Sequence, residues 1–227
     1  MTKFEHLFAW TGGALFVAAL AWTAAWYGLA LARSLPFAGP LPVAADALLF
    51  SVFALHHSLL ARTPAKAVLA RLVPERLIRS VYVWIASLLL ILVCALWRPV
   101  GGEITAPAWL AWPLTVVQLM GVWFIARAVR LIDGLQLAGI RPSPAAGEAL
   151  QFGGPYQMVR HPVYLGWMLI VFASPHMTGD RLTFAVVSSL YLVLAMPWEE
   201  RSLEGAFGEE YRRYKERVRW RLLPYVY

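Results

Sequence analysis

The chain contains one cysteine, Cys94, among 227 residues. An intrachain disulfide and a cysteine-built metal centre are therefore excluded, and no metal site is expected. Cys94 lies inside an apolar run and reads as a packing residue. Charge is scarce as well. Only 15% of residues are charged and 60% are hydrophobic, whereas soluble domains carry about 25% charged residues. This balance excludes a soluble globular domain and defines an integral membrane protein. Acids number 13 against 20 Lys and Arg, and the resulting pI near 9.9 could serve a nucleic-acid binder. The bases flank apolar runs instead of clustering, so they report membrane topology and no nucleic-acid partner is expected. Also missing are a glycine-rich phosphate loop ending in Lys-Ser/Thr, a strand-then-helix dinucleotide fingerprint and a Gly-x-Ser-x-Gly elbow. The familiar nucleotide-loop and serine-hydrolase chemistries lose their sequence support.

What is present is a series of apolar segments at about 7–32, 43–61, 80–97, 107–128, 163–174 and 182–198. A straight span takes about 20 residues. The segment at 163–174 is short, so the pattern predicts an all-α polytopic bundle of five or six spans, with six preferred. The first segment is too long for a signal-peptide core of about 7–15 residues and reads as a span. Proline and glycine, 15 and 16 residues, fall mostly between the runs. Trp10, Trp97, Trp109, Trp112 and Trp198 stand near segment ends, where interfacial anchors belong. The expected organisation is one membrane domain over 1–227, with four spans in 1–128 and the ligand-binding part in 129–227. Arg62, Lys66, Arg71, Arg76 and Arg79 lie in one connection, and Arg130, Arg141 and Arg160 in another. The tail adds Arg201, Arg212, Arg213, Lys215, Arg217, Arg219 and Arg221, while the alternate connections hold only Arg33, Arg98 and Arg181. The positive-inside rule then places both termini and the candidate chemistry in the cytoplasm. Leu203, Phe207, Tyr211, Tyr214 and Val218 recur at helical spacing, which predicts an amphipathic helix over 199–219 that lies on the bilayer or caps the bundle.

Three clusters carry the candidate chemistry. In Arg160-His161-Pro162-Val163-Tyr164-Leu165-Gly166, Pro162 suits a first helical turn. The preceding residues then sit at a positive helix end that favours a carboxylate or phosphate, and Arg160 adds a fork of donors. Gly166 allows close approach of a ligand or another helix. The plain alternative is a snorkelling interfacial pair. Glu199 and Glu200 close an apolar helix, where carboxylates are costly unless solvated or paired. A cationic ligand, Arg160, or the tail arginines Arg201 and Arg212 would offset that cost. Tyr211 and Tyr214 offer aromatic faces for a cation or purine, or form an apolar stripe. Two weaker features lie upstream. His56 and His57 point about 100° apart on a helix, with no acid at i+3 or i+4, which argues against a metal and leaves a polar pocket contact. Asp133 follows Arg130 at i+3 and reads either as a surface ion pair or as a functional acid.

In order and spacing, Gly154-Pro155-Tyr156, Arg160-His161-Pro162-x-Tyr164-x-Gly166, Glu199-Glu200-x-x-Leu203 and Phe207-Gly208-x-Glu210-Tyr211-x-x-Tyr214 resemble the isoprenylcysteine carboxyl methyltransferase and phospholipid methyltransferase superfamily. The resemblance covers about 153–218. Upstream, Phe53-Ala54-Leu55-His56-His57-Ser58-Leu59-Leu60-Ala61-Arg62, Arg79-Ser80-x-Tyr82-Val83 and Leu135-x-Leu137-x-Gly139-Ile140-Arg141 are similar to bacterial methanethiol S-methyltransferases and their NnrU-like relatives. Departures occur at Ile132-Asp133-Gly134 and at Val218-Arg219, where the superfamily often has Val-Pro.

The resemblance implies S-adenosylmethionine as methyl donor, with Tyr156, Arg160, His161, Tyr164, Gly166, Glu199, Glu200 and Tyr211 around it. It implies Arg160, Glu200 and His57 as catalytic, with His56, His57 and Asp133 towards the acceptor. In this reading Arg160 holds the donor's carboxylate and a glutamate holds its ammonium or ribose hydroxyls. His57 or Glu200 takes the thiol proton or orients the acceptor. The expected reaction is methylation of a small or lipophilic thiol at a bacterial inner membrane, methanethiol to dimethyl sulfide first, among membrane lipids. Alternatives are a prenylcysteine-like carboxylate or a lipid amine as acceptor, an NADPH-dependent membrane reductase, or a non-catalytic NnrU-like factor.

Overall fold

A computed structural model describes residues 1–60, 68–104, 106–142 and 150–227, with the Leu60 side chain left out. Arg62 and Lys66, used above for orientation, lie outside the described residues. The fold is helical: α1 Lys3–Leu29, α2 Pro40–Leu60, α3 Ile78–Leu96, α4 Ala111–Val129, α5 Pro162–Phe172, α6 Gly179–Phe207 and α7 Glu209–Arg217. The strands are two-residue pieces, β1 Glu103–Ile104 and β2 Met177–Thr178, paired antiparallel. Among the described residues, five helices are long and apolar enough to cross a bilayer: Lys3–Leu29, Pro40–Leu59, Glu75–Leu96, Ala108–Val129 and Gly179–Phe207. The chain is an all-α polytopic membrane protein. Of the five or six spans expected, five are long helices, and the short segment at 163–174 forms the 11-residue α5. That helix rises about 16 Å, half of a hydrocarbon core of about 30 Å.

The chain divides into two compact units, Met1–Arg33 with Ala38–Val100 and Asp133–Glu148, and Ser34–Phe37 with Gly101–Ile132 and Ala149–Tyr227. In the first unit, Thr2 caps α1 with Glu5 in a reciprocal box, and Glu5 pairs with Arg76. The Trp84 Nε1–H donates to the Phe8 carbonyl at 3.0 Å, fastening α3 to α1. Residues near 139 return to this unit because the Ser80 hydroxyl donates to the Gly139 carbonyl at 2.6 Å. Trp97, expected as an interfacial anchor, is instead buried edge-on against Trp26.

In the second unit α5 lies antiparallel to both α4 and α6. A Cβ on Gly121 would meet the Gly166 carbonyl at 2.6 Å, and one on Gly166 would meet the Gly121 carbonyl at 2.7 Å. The Gln118 Nε2–H donates to the Ile170 carbonyl at 2.9 Å. Trp167 donates to the Ser188 hydroxyl of α6 at 3.0 Å. Beyond α5, the depth that its short length leaves open is filled by a buried polar knot. Arg181 donates to the Ser174 hydroxyl and the His176 carbonyl, and Asp180 accepts from the Gly101 N–H. Pairing of this kind is what a membrane interior demands of polar groups.

Candidate active site

The helix end expected to receive an anion is closed by the chain's own tail. Pro162 opens α5 as predicted, but the Arg160 and His161 N–H groups donate to the Trp220 and Arg221 carbonyls, both at 2.9 Å. The Arg160 side chain is also engaged. Its Nη1 donates to the Val218 and Arg219 carbonyls at 2.9 Å, and its Nε donates to Glu200 Oε1 at 2.7 Å.

Glu199 and Glu200 do not end a helix. α6 continues to Phe207, past Pro197, and stops at Gly208, whose φ of 54° a side chain would disfavour. Glu200, 4% exposed, carries the densest set of partners in the unit. Besides Arg160 it meets His161 Nε2 at 3.3 Å and receives the Arg221 Nε–H on Oε2 at 3.0 Å. Arg201 and Arg212 are not its partners; Arg212 pairs with Glu204 and Glu209. Glu199 points elsewhere. Its Oε2 accepts from the Tyr164 hydroxyl at 2.6 Å and stands 3.7 Å from His161 Nδ1. The Tyr164 and His161 rings stack at 5.2 Å. Two guanidiniums, Arg160 and Arg221, thus hold the one carboxylate of Glu200, and with Glu199 alongside on Tyr164 the cluster contains two positive and two negative groups.

The stripe expected on one helix over 199–219 lies on two, because α6 ends at Phe207 and α7 starts at Glu209 after Gly208, and its residues still gather into one cluster. Tyr211, Tyr214 and Val218 form a buried cluster with Leu203, Phe207, Leu150 and Phe152, so α7 packs on the protein. The Tyr214 hydroxyl donates to the Tyr156 carbonyl at 2.7 Å. The Tyr211 ring is 1% exposed, yet its hydroxyl is buried without a hydrogen-bond partner among the described residues. Burial pushes the Tyr211 phenol up, and the nearby Glu200 carboxylate adds to the effect. Tyr156 is raised by burial and then by Glu199.

Four polar atoms of this cluster therefore have no partner among the described residues: Arg160 Nη2, Glu199 Oε1 and the Tyr156 and Tyr211 hydroxyls. A buried, unpaired hydroxyl is uncommon in a folded protein and calls for an explanation, a bound water or ligand among them. Of the two readings of Gly166, the structure shows the close approach of another helix: it meets the backbone of α4.

The remaining expected residues belong to the other unit. The Tyr82 hydroxyl lies 2.7 Å from His57 Nδ1, and the His56 ring stacks on Tyr82 at 6.0 Å. His56 Nε2 is buried without a partner. Asp133 does not pair with Arg130. It caps the helical turn Gly134–Leu137 through the Leu135 and Gln136 N–H groups and bonds Arg141 at 2.9 Å. Among the described residues no cluster of His, Cys, Asp and Glu could hold a metal. Sequence reasoning missed Arg221 and Tyr227. The Arg221 Nη1 donates to the Tyr227 hydroxyl at 2.8 Å, and no motif announces that link.

No family model matches the chain, and no solved structure matches it. Curated relatives do. "Methanethiol S-methyltransferase 2" of Bradyrhizobium diazoefficiens is 38% identical over 75% of this chain and 69% of its own length. "Methanethiol S-methyltransferase" of Crocosphaera subtropica is 36% identical over 80% and 74%. "Nurim" of Danio rerio is 35% identical over 67% and 62%. With that identity over most of both chains, this protein belongs to the methanethiol S-methyltransferase family.

Proposed function

We propose that the chain transfers a methyl group from S-adenosylmethionine to methanethiol, giving dimethyl sulfide, on the cytoplasmic side of a bacterial inner membrane. The observation that carries this reading is the unpartnered, buried Tyr211 hydroxyl beside a charge-balanced cluster with unspent groups of both signs. Those groups fit an amino-acid moiety that bears a carboxylate and an ammonium together. Arg160 Nη2 takes the carboxylate, Glu199 Oε1 takes the ammonium or a ribose hydroxyl, and the Tyr211 and Tyr156 hydroxyls take further polar atoms. Glu200, with both oxygens held by cations, organises the site and does not bind. When bound, the donor supplies an electrophilic methyl group on a sulfonium.

The work left to the protein is orientation and exclusion of water. Aligning nucleophile, methyl and leaving sulfur removes an entropic barrier. A water-poor site favours the reaction because thiolate and sulfonium charges neutralise one another as the new bond forms. A carboxylate already bound by two arginines is a poor proton acceptor, so Glu200 is read as a positioning group and not as the base. The names of the curated relatives support methanethiol as the acceptor.

The test is S-adenosylhomocysteine release by detergent-purified protein given S-adenosylmethionine and methanethiol, with Tyr211→Phe as control. Turnover that the variant loses in donor affinity supports the assignment. Donor binding without turnover overturns methanethiol and moves the search to a lipophilic acceptor. No donor binding overturns the reading.

A further inference from the structure

We propose that Arg221 is a positioning residue for methyl transfer, held over Glu200 by Tyr227, and that the segment Val218–Tyr227 is therefore part of the active site. This rests on the function proposed above.

Glu200 offers two oxygens. Oε1 is taken by Arg160 and His161, which precede α5, and Oε2 by Arg221 alone at 3.0 Å. The direction of the carboxylate is fixed only when both ends are held. Arg160, in turn, must aim one unspent Nη2 while its Nε stays on Glu200. A rotation of Glu200 would turn the Arg160 fork and with it the nitrogen offered to a ligand carboxylate. Arg221 thus acts on the ligand through Glu200 and Arg160 and touches no reacting atom.

Arg221 is less fixed by burial than Arg160 or Glu200. Its side chain is 33% exposed, against 8% for Arg160. An exposed arginine gains little from an ion pair unless its geometry is imposed. Here Tyr227 imposes it. The guanidinium lies 5.2 Å from the Tyr227 ring centre, and Nη1 donates to the Tyr227 hydroxyl at 2.8 Å. The chain is bent to bring Tyr227 back. The Val226 N–H returns to the Leu223 carbonyl around Pro224 and Tyr225, and the Leu222 N–H donates to the Tyr227 carbonyl. Tyr225 adopts φ of 66°, the one non-glycine residue with positive φ among the described residues. A turn of this form ordinarily uses glycine at that place. Strain of this kind persists where surrounding structure over-determines it, often at functional sites. The Tyr225 ring is held against Trp220 at 5.4 Å, next to the carbonyl that receives the Arg160 N–H.

The experiment measures S-adenosylhomocysteine binding by calorimetry on full-length detergent-purified protein, with turnover and thermal unfolding measured alongside. Wild type, Arg221→Ala, Arg221→Lys and Tyr227→Phe are compared. Expected are about tenfold weaker binding and a raised donor KM in Arg221→Ala, with kcat at saturating donor within threefold. Arg221→Lys recovers part of the loss, and Tyr227→Phe shows a smaller one, two- to fivefold. A merely structural residue would lower the unfolding temperature without splitting KM from kcat. Unchanged or tighter binding in Arg221→Ala, with wild type binding normally, overturns the inference and leaves the proposed function standing. Failure of wild type to bind overturns the proposed function itself. If Arg221→Ala does not fold, Tyr227→Phe decides: unchanged affinity there overturns the inference.

Discussion

Tyr211 and Glu199 separate binding from stability most cleanly. An unpaired buried hydroxyl costs free energy in the folded protein, so Tyr211→Phe is expected to stabilise by about 1 kcal/mol while weakening donor binding. Thermal unfolding and S-adenosylhomocysteine calorimetry read the two effects in opposite directions. A variant that loses both would show that the hydroxyl has a structural partner. Glu199 and Glu200, adjacent in sequence, should differ in kind. Glu199→Gln leaves the Arg160–Glu200–Arg221 cluster intact and weakens binding. Glu200→Gln leaves two guanidiniums facing a neutral group in a buried site, at a cost of about 3–5 kcal/mol. Equal unfolding temperatures for the two variants would remove the distinction.

The helices show which parts of the chain were legible. The five long spans follow from run length, because a bilayer leaves the backbone of an apolar segment no choice but helix. The pairing of Arg160 with Glu200 was among the partners foreseen, since both stand where an unpaired charge is costly. Helix beyond Glu200 was foreseen in the stripe over 199–219, though not whether it continues the preceding span without a break. Glu199-Glu200 reads as a terminus when polarity is taken as an end signal, whereas here Arg160, His161 and Arg221 neutralise the carboxylate and the helix runs on to Phe207. Arg221 and Tyr227 were illegible for a related reason: their link depends on a strained turn at Tyr225 and follows no periodicity. Gly166 had two open readings, and contact with α4 chose helix packing. That choice has a measurable consequence. Gly166→Ala places a methyl group against the Gly121 carbonyl and the Ile125 backbone, where neither side can yield cheaply. Overpacking costs about 1–3 kcal/mol, so the unfolding temperature in detergent should fall while residual folded protein keeps its donor affinity. A variant of unchanged stability but lost affinity would return Gly166 to the ligand.

For the molecule in the membrane, the issue is whether a chain with five long helices crosses five times or six. The second unit answers by its directions. β1, ahead of α4, pairs with β2, ahead of α6. At the other end, Leu131 beyond α4 lies against Gly153 and Gly154, and His161 ahead of α5 meets Glu200 near the end of α6. α4, α5 and α6 therefore run up, down and up between the same two ends, although α5 supplies only half the depth. The knot of Ser174, His176, Asp180 and Arg181 carries the chain through the remainder with its polar groups paired. One end of this unit holds Arg127, Arg130, Arg160 and the basic residues after 200, and the other holds Arg181. By the positive-inside rule the Glu200 end is expected to face the cytoplasm, as in the function proposed above. With Cys94→Ser as background, Glu103→Cys should react with an impermeant maleimide on the outer face of the inner membrane. Arg213→Cys should react only in inverted vesicles. Three crossings between these positions require opposite faces, whereas two would put both thiols on the same side. Labelling from one side would show that α5 and the residues after it form a re-entrant segment, so that the second unit crosses the bilayer twice and not three times.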